Sequence, residues 1–270
     1  MIGQVEVLPL LDAVGAIAEL SEAYPETAAE AWDPSRHLYP ELFAGDRWRL
    51  PCTSYLIRSA GTTVLVDTGV GPAGLWDWDA ESEEGLLPAL AGLGVSPDEV
   101  GLVFLTHLHI DHVGWNADRE GRPVFPRARF LAHPAAVAFA QESDRPHIER
   151  CVLSLLGRGV VDPVNDGAVL AEGITVVELP GHYPGHLGLR IESDGERALL
   201  IADAAVHPLL LDQPQERYIS DWDEAASTAT RRALISELVD ADTVVVCGHY
   251  PRGGIGRVVK RDGRVVWEAA

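Results

Sequence analysis

Short apolar runs separated by polar, turn-forming stretches dominate the chain. The first twenty positions alternate and then turn apolar, as a strand leading into a connection does. "TSYLIRSAGTTVLVDTG" places two β-rich runs around "SAG" and predicts a hairpin. Residues 83 to 100 predict a helix ended by Gly92 and Gly94, and "VGLVFL" a buried strand behind it. "ARFLAHPAAVAFAQES" predicts a strand running into a helix, and 146 to 160 a further helix. The second half repeats the pattern. "GITVVELPGH" is a strand, "LGLRIESDGERALLIAD" a hairpin turning on Asp194-Gly195, and "DEAASTATRRALISELVD" an amphipathic helix. "DTVVVCGH" is a strand, and "GRVVKRDGRVVWEA" closes the chain as another Asp-Gly hairpin.

One segment breaks the rhythm. From Ser21 to Pro51 the chain is rich in proline and aromatic residues without a clear period. It reads as a long excursion across the surface with at most short helices, and 21–51 is a candidate lid or insertion. Two β-rich halves with interspersed helices, and no linker between them, predict one α+β domain over 1–270, its sheets packed together with helices outside.

Composition narrows the chemistry. With 41 acidic against 21 basic residues the formal charge is −20, a field that repels phosphate backbones and argues against nucleic acid as a partner. Three cysteines without paired spacing (Cys52, Cys151, Cys247) fit a reducing compartment. The N-terminus lacks a basic region before its apolar stretch, and no apolar run is long enough for a membrane span. The expectation is a cytoplasmic protein with no membrane partner. Base rates favour a homodimer.

Potential metal ligands stand at the ends of four apolar strands. "VGLVFL" runs into "THLHIDHVGW", "ITVVEL" into Pro180-Gly181-His182, "ALLIA" into Asp203, and "TVVVC" into Gly248-His249. Residues just past the ends of neighbouring strands converge at one sheet edge. If the chain stays extended past Leu105, His107 and His109 point to one side, and a turn at Ile110 sends Asp111 and His112 towards a second ion. Imidazole with carboxylate suits zinc, and iron or manganese also accept the set.

With these residues in view, the sequence resembles the metallo-β-lactamase superfamily, hydrolases built as a four-layer αββα sandwich. The resemblance rests on His-x-His-x-Asp-His at 107–112 and extends through "LVDTG", "PGHYPGH", "IAD" and "GHY". It implies two divalent metal ions per chain, most simply zinc. His107, His109 and His182 would hold the first; Asp111, His112 and His249 would hold the second, with Asp203 bridging. It further implies that Asp67 orients a ligand histidine, and His186 reads as structural or supporting. Two cations sharing a water supply a hydroxide nucleophile at neutral pH, with Asp203 bridging them and Asp111 placed to shuttle a proton. No Gly-x-Ser-x-Gly elbow offers a serine alternative.

Within the superfamily, "HLHIDHVGWN" and "CGHYP" look most like the lactonase and organophosphate-hydrolase branch, which implies a small-molecule ester or lactone as substrate. A phosphotriesterase, a thioesterase of the glyoxalase II kind, and a non-catalytic metal-binding or ligand-sensing protein are the alternatives. One position departs from the branch: Val206 stands where its quorum-quenching lactonases carry a tyrosine, with His207 next to it as a candidate polar contact. Trp115, Tyr183 and Tyr250, each beside a ligand motif, are candidate pocket walls, with Trp76 and Trp78 behind them. His37 and His147 have no companions and read as surface residues, and His133 as a structural one.

Overall fold

The computed structural model describes residues 1–75, 80–82 and 85–270. Among these, the chain forms two sheets in strict succession. The first contains β1 (Glu6–Glu19), β2 (Phe43–Ala44), β3 (Arg47–Ser59), β4 (Thr62–Val66), β5 (Ala80–Ser82), β6 (Leu102–Phe104), β7 (Arg129–Ala132) and β8 (Val161–Pro163). Its order is β5-β1-β3-β4-β6-β7-β8, with β2 on β3. The second contains β9 (Val169–Ala171), β10 (Ile174–Glu178), β11 (Leu187–Ser193), β12 (Glu196–Leu200), β13 (Thr243–Val246), β14 (Ile255–Arg261) and β15 (Arg264–Ala269). They lie in the order β15-β14-β13-β12-β11-β10-β9.

The sheets meet through their β-branched and aromatic faces. Ile57, Val64, Val66 and Phe104 of the first pack with Val176, Leu189, Ile191 and Val246 of the second. Burial of such side chains contributes about 1.5–3 kcal/mol each before conformational entropy is subtracted. On the far side of the first sheet, Leu56, Leu65 and Val103 pack against the helical segments at 86–92, 134–141 and 146–156. Beyond the second sheet, Leu199, Val245 and Val258 pack against helix Glu224–Leu238 through Leu234 and Leu238. Helix, sheet, sheet, helix is the four-layer sandwich the pattern predicts. Both Asp-Gly hairpins turn with positive φ at the Asp and the Gly, 50° and 81° at Asp194-Gly195.

The segment 21–51 differs from its expectation. It does consist of short helices, but it is not a surface excursion. Tyr24, Trp32, Tyr39, Leu42 and Trp48 are buried and join the core beside the second sheet, and Arg47 already begins β3. Isolated aromatic anchors on one-turn helices carry no period, so alternation could not reveal their burial.

Topology decides where functional groups gather. Strands β4, β6, β7 and β8 run parallel, as do β12 and β13. Their carboxyl ends therefore share an edge, which delivers Asp67 and the "THLHIDH" run from one sheet and Asp203 and His249 from the other.

Candidate metal centre

The histidine run turns where the sequence predicts. His109 is extended (φ −69°, ψ 161°) and a short helix, Ile110–Val113, begins directly after it. His107 and His109 thus stay on the strand line while Asp111 and His112 swing away. The turn is tied to the "DTG" loop by three backbone bonds: Thr68 N to His112 O, Gly114 N to Gly69 O and Trp115 N to Thr68 O. That contact needs glycine at 114, where a Cβ would stand 1.9 Å from the Val70 carbonyl carbon.

Three ring nitrogens form the first group. His109 Nδ1 lies 3.0 Å from His107 Nε2 and 3.0 Å from His182 Nε2. Asp203 Oδ2 closes the group, 3.3 Å from His182 and 3.8 Å from His107. Four donors around a tetrahedral zinc at ~2.0–2.1 Å sit about 3.3 Å apart, and these atoms have that spacing. The other oxygen, Asp203 Oδ1, lies 3.4 Å from His112 Nε2 and 3.1 Å from His249 Nε2. Asp111 Oδ2 stands 3.6 Å and 3.5 Å from the same two nitrogens. All seven sequence-predicted ligand positions are therefore brought together.

The hydrogen bonds behind these rings aim them. His112 Nδ1 donates to Asp67 Oδ2 at 2.8 Å, His249 Nδ1 to the Pro51 carbonyl at 2.7 Å, and His182 Nδ1 to Asp221 at 3.2 Å. Thr106 Oγ1 gives its proton to Asp67 and receives one from His107 Nδ1 at 3.1 Å. With these four Nδ1 protons committed, the four Nε2 lone pairs face inward, a tautomer assignment that the network dictates. His112 Nε2 and Asp203 Oδ1 are buried without a partner among the described residues, while His107 and His182 Nε2 both face His109 Nδ1 and His249 Nε2 faces Asp203 Oδ2. Lone pairs in apposition are repulsive, and a divalent cation on each side of Asp203 removes the repulsion. The donor set thus fits two such ions.

Electrostatics divide the rings: burial works to lower His112 and His249, but the Asp203 and Asp111 carboxylates outweigh it and raise both, a pull on a proton that a bound cation would replace. Burial, then the neighbouring imidazoles, hold His107 and His109 well below the ordinary histidine range, so both are neutral and able to ligate. Burial works to raise the Asp203 carboxyl, but His249, His112 and His107 outweigh it and keep it ionised.

His186 supports from behind. Its Nδ1 donates to Leu179 O at 2.9 Å, and its Nε2 accepts from the Asp203 backbone at 3.1 Å, while burial lowers it to about 3. Asp67 sits in the left-handed region (φ 56°), with Thr106 N on its second oxygen at 2.8 Å.

Several residues of this assembly escaped the sequence reading. Asp221 holds His182, and Arg231 pairs with Asp221; both side chains are 1% exposed. Arg231 also donates to Ala204 O and Glu216 O at 3.0 Å, binding the Asp203 loop to the 213–221 loop. Gly181 lets the helix that carries Arg231 dock beside His182, since a Cβ there would meet Ser227 N at 2.2 Å. Asp12, at a register shift in β1, accepts from Val70 N, Leu86 N and Trp115 Nε1, each at 2.7 Å. Cys52 joins them, its Sγ grouped with Asp111 and His249. Burial holds its thiol well above the ordinary range. The sequence reading placed Arg231 in the helix "DEAASTATRRALISELVD" but gave none of these residues a role at the centre.

The pocket predictions fare unevenly. Tyr183 does line a cavity of about 350 Å³ beside His109 and His182. A second cavity of about 190 Å³ opens over Asp111, Asp203 and His249, walled by Trp48, Val206 and Tyr218. The Tyr218 ring stacks on His182 at 5.9 Å, an aromatic the strand-end argument missed. Trp115 lines neither cavity, because its indole turns back to Asp12. Tyr250 is fully buried against Trp267 and reaches a different surface pocket, since the chain bends after His249. His207 is buried among Trp32, Phe43 and Trp48 rather than facing substrate. His147 is buried and lines both cavities, contrary to its reading as a surface residue, and burial lowers it to about 4. His133 caps the helix at Pro134, as a structural histidine should. Trp76 and Trp78 lie outside the described residues.

Comparison with known proteins agrees with this picture. The family model of the metallo-beta-lactamase superfamily matches residues 47–249. An N-acyl homoserine lactonase of Bacillus sp. is 27% identical over 175 residues, 59% of this chain and 66% of that protein, just under two thirds of its length. The N-acyl homoserine lactonase AttM of Rhizobium radiobacter is 25% identical over 237 residues, 77% of this chain and 84% of that protein. The solved structure of AidC, a dizinc quorum-quenching lactonase, superposes with a TM-score of 0.84 at 21% identity, covering 100% of this chain and 96% of AidC. Among the described residues no helix is long and apolar enough to cross a membrane.

Proposed function

The chain belongs to the metallo-beta-lactamase superfamily, and from that premise we propose that it is a dinuclear metal-dependent hydrolase of esters or lactones, with zinc as the resident ion. The observation that carries this reading is the convergence of four anchored Nε2 lone pairs on the two oxygens of Asp203. His107, His109 and His182 form one ion position, and Asp111, His112 and His249 the other, with Asp203 shared. These residues would hold two divalent cations, which would supply a water of pKa lowered towards ~7 and a Lewis acid for a substrate carbonyl.

The protein's own groups supply the rest. Asp203 and the imidazoles, held by Asp67, Pro51 O and Asp221, keep their lone pairs aimed without rearrangement, which is the preorganisation such a site requires. Asp111 faces the cavity over the centre and is the residue placed to pass a proton to a leaving alkoxide. Val206 presents no donor, and Tyr218 on the same wall does. Burial raises the phenol, so it stays protonated at neutral pH and can donate to a substrate oxygen. Trp48 and Leu50 make segment 21–51 a packed wall of this one domain.

The curated relatives are N-acyl homoserine lactonases, which makes acyl-homoserine lactone the first substrate to try. The experiment is proton release from hexanoyl-homoserine lactone and from a neutral aryl ester by zinc-loaded protein, with Asp203→Ala as control. Metal-dependent release from either substrate is the expected outcome. A protein holding two ions per chain that cleaves neither substrate, nor a thioester or phosphotriester, would leave a metal-binding protein and sink the hydrolase reading.

A further inference from the structure

Arg145 stands where the two cavities meet. It lines the one over Asp111, Asp203 and His249 and also the one beyond His109 and His182. Among the described residues no carboxylate lies within ion-pair distance of its guanidinium, and its backbone N–H donates to Ser143 Oγ at 3.3 Å. Among arginines close by in the sequence, Arg122 pairs with Asp118 and Glu120, and Arg119 donates to Ala73 O. Arg127 and Arg158 resemble Arg145 in having no ion pair among the described residues, but they line neither cavity. In a chain with 41 acidic and 21 basic residues, a cation at the site mouth without an acidic partner is not explained by the general ion pairing of the surface.

One side of the cavity beyond His109 is built of rings, and Ser143, Ser220 and Asp221 complete its lining. From His109 a row of rings runs outward, through Tyr183 at 4.9 Å, Phe139 at 5.3 Å from Tyr183, and Trp222 at 4.6 Å from Phe139. At the rim, Trp222 is 63% and Ile219 57% exposed, and both line the cavity. The Arg145 charge reaches into this space: after burial it is a cause of the lowering of His147 and, last among several, of His109. A ring-walled trough beside a guanidinium that has no acidic partner among the described residues fits a ligand with an apolar stem and an anion. A planar fork of N–H donors matches a carboxylate in two parallel bonds.

We propose that Arg145 is a substrate-binding residue that selects esters or lactones whose acyl arm carries a carboxylate. This rests on the hydrolase reading above and adds the charge of the substrate to it. Arg145 takes no part in bond breaking. It holds the acyl arm against the Tyr183–Phe139–Trp222 wall so that the carbonyl lies over Asp111 and Asp203, and it offsets the repulsion an anionic substrate meets from a strongly acidic protein.

The test compares two 4-nitrophenyl esters of equal chain length, the neutral hexanoate and the adipate monoester, on zinc-loaded protein. Wild type should prefer the adipate in kcat/KM by about 10- to 100-fold, the scale of a charge-assisted hydrogen-bonded pair. That preference should shrink as salt is raised. Arg145→Gln should abolish it, lowering kcat/KM for the adipate at least about tenfold more than for the hexanoate, and Arg145→Lys should keep part of it. Equal effects of Arg145→Gln on both esters, or no effect on either, overturn the proposal. A second readout needs no turnover: calorimetric binding of adipamate against hexanamide, with the adipamate preference lost in Arg145→Gln. Indifference of wild type to this pair overturns the Arg145 assignment even if both esters are cleaved. A preserved adipamate preference in a protein that cleaves nothing overturns only the hydrolase reading.

Discussion

Asp203 and His207 are four residues apart and both fully enclosed, yet they sit in opposite chemical situations. Asp203 looks onto imidazole nitrogens whose protons are all spent elsewhere. His207 looks onto ring edges, with Trp32, Phe43 and Trp48 at 5.2, 5.6 and 6.0 Å. Its Nδ1 accepts from Leu209 N at 3.0 Å and its Nε2 has no partner among the described residues. Both environments contain displaced pKa values, since burial alone lowers His207 to about 3. The difference shows that burial and a shifted proton affinity do not make a site. Convergent, anchored lone pairs do.

The sharpest way to break this comparison is to remove the shared carboxylate. Asp203→Ala should lose bound metal and reduce hydrolysis at least ~10³-fold, read by metal content per chain and initial rates. If His207→Leu did the same damage, the distinction drawn between the two places would be wrong.

Next come the groups that aim the rings. Asp67→Asn and Asp221→Asn should each weaken metal binding about 10- to 100-fold in competition with a chelator, the usual cost of losing such a partner. Arg231→Met should lower stability by about 3–5 kcal/mol, because the buried Asp221 carboxylate is left uncompensated; denaturant unfolding measures this. Metal removal should itself lower stability by ~2.7 kcal/mol relative to a hundredfold excess of ion over its Kd, visible as a drop in Tm. Asp203→Ala should abolish that dependence.

The smallest effect belongs to the aromatic side. His207→Leu should leave hydrolysis within about threefold while changing the response to acid. The fold holds His207 neutral, with a pKa of about 3 against an ordinary 6.5. Its folded value is depressed, so its contribution is complete above pH 6.5 and is lost as pH falls from there towards 3. Metal-stripped wild type should therefore lose stability more steeply than His207→Leu over that window, in urea midpoints taken at about pH 7 and pH 5. Parallel slopes would show that another group controls the acid limb.

The pattern of the chain carried the sandwich and the convergence of the seven candidate ligands, for one reason: both depend on strands and on the residues just past their ends. Strand ends are periodic signals, and "VGLVFL", "ITVVEL", "ALLIA" and "TVVVC" all give them. The features that stayed hidden depend on direction and distance. Trp115 and Tyr250 adjoin ligand motifs, but adjacency does not say which way a ring points, and both turn from the cavity. Asp12, Asp221 and Arg231 reach the centre from remote stretches, through a register shift in β1 and a helix docked on Gly181. The place proposed for Arg145 was invisible because it rests on the absence of an ion pair among the described residues, and a sequence shows composition rather than pairing.

The division of the chain into two successive sheets has a mechanical corollary. Every donor before Val161–Pro163 comes from the first sheet and every donor after it from the second, so each ion position takes ligands from both. An occupied centre would therefore be a pair of rivets between the two halves. Apolar packing, hydrogen bonds such as Tyr55 Oη to Gly253 O and Ser59 Oγ to Glu172 O, and one crossing of the chain also join them. Cut at the Asp166-Gly167 turn, the halves should cling together more tightly with divalent ions than without them. Catalytic metal and structural fastener would then be the same atoms.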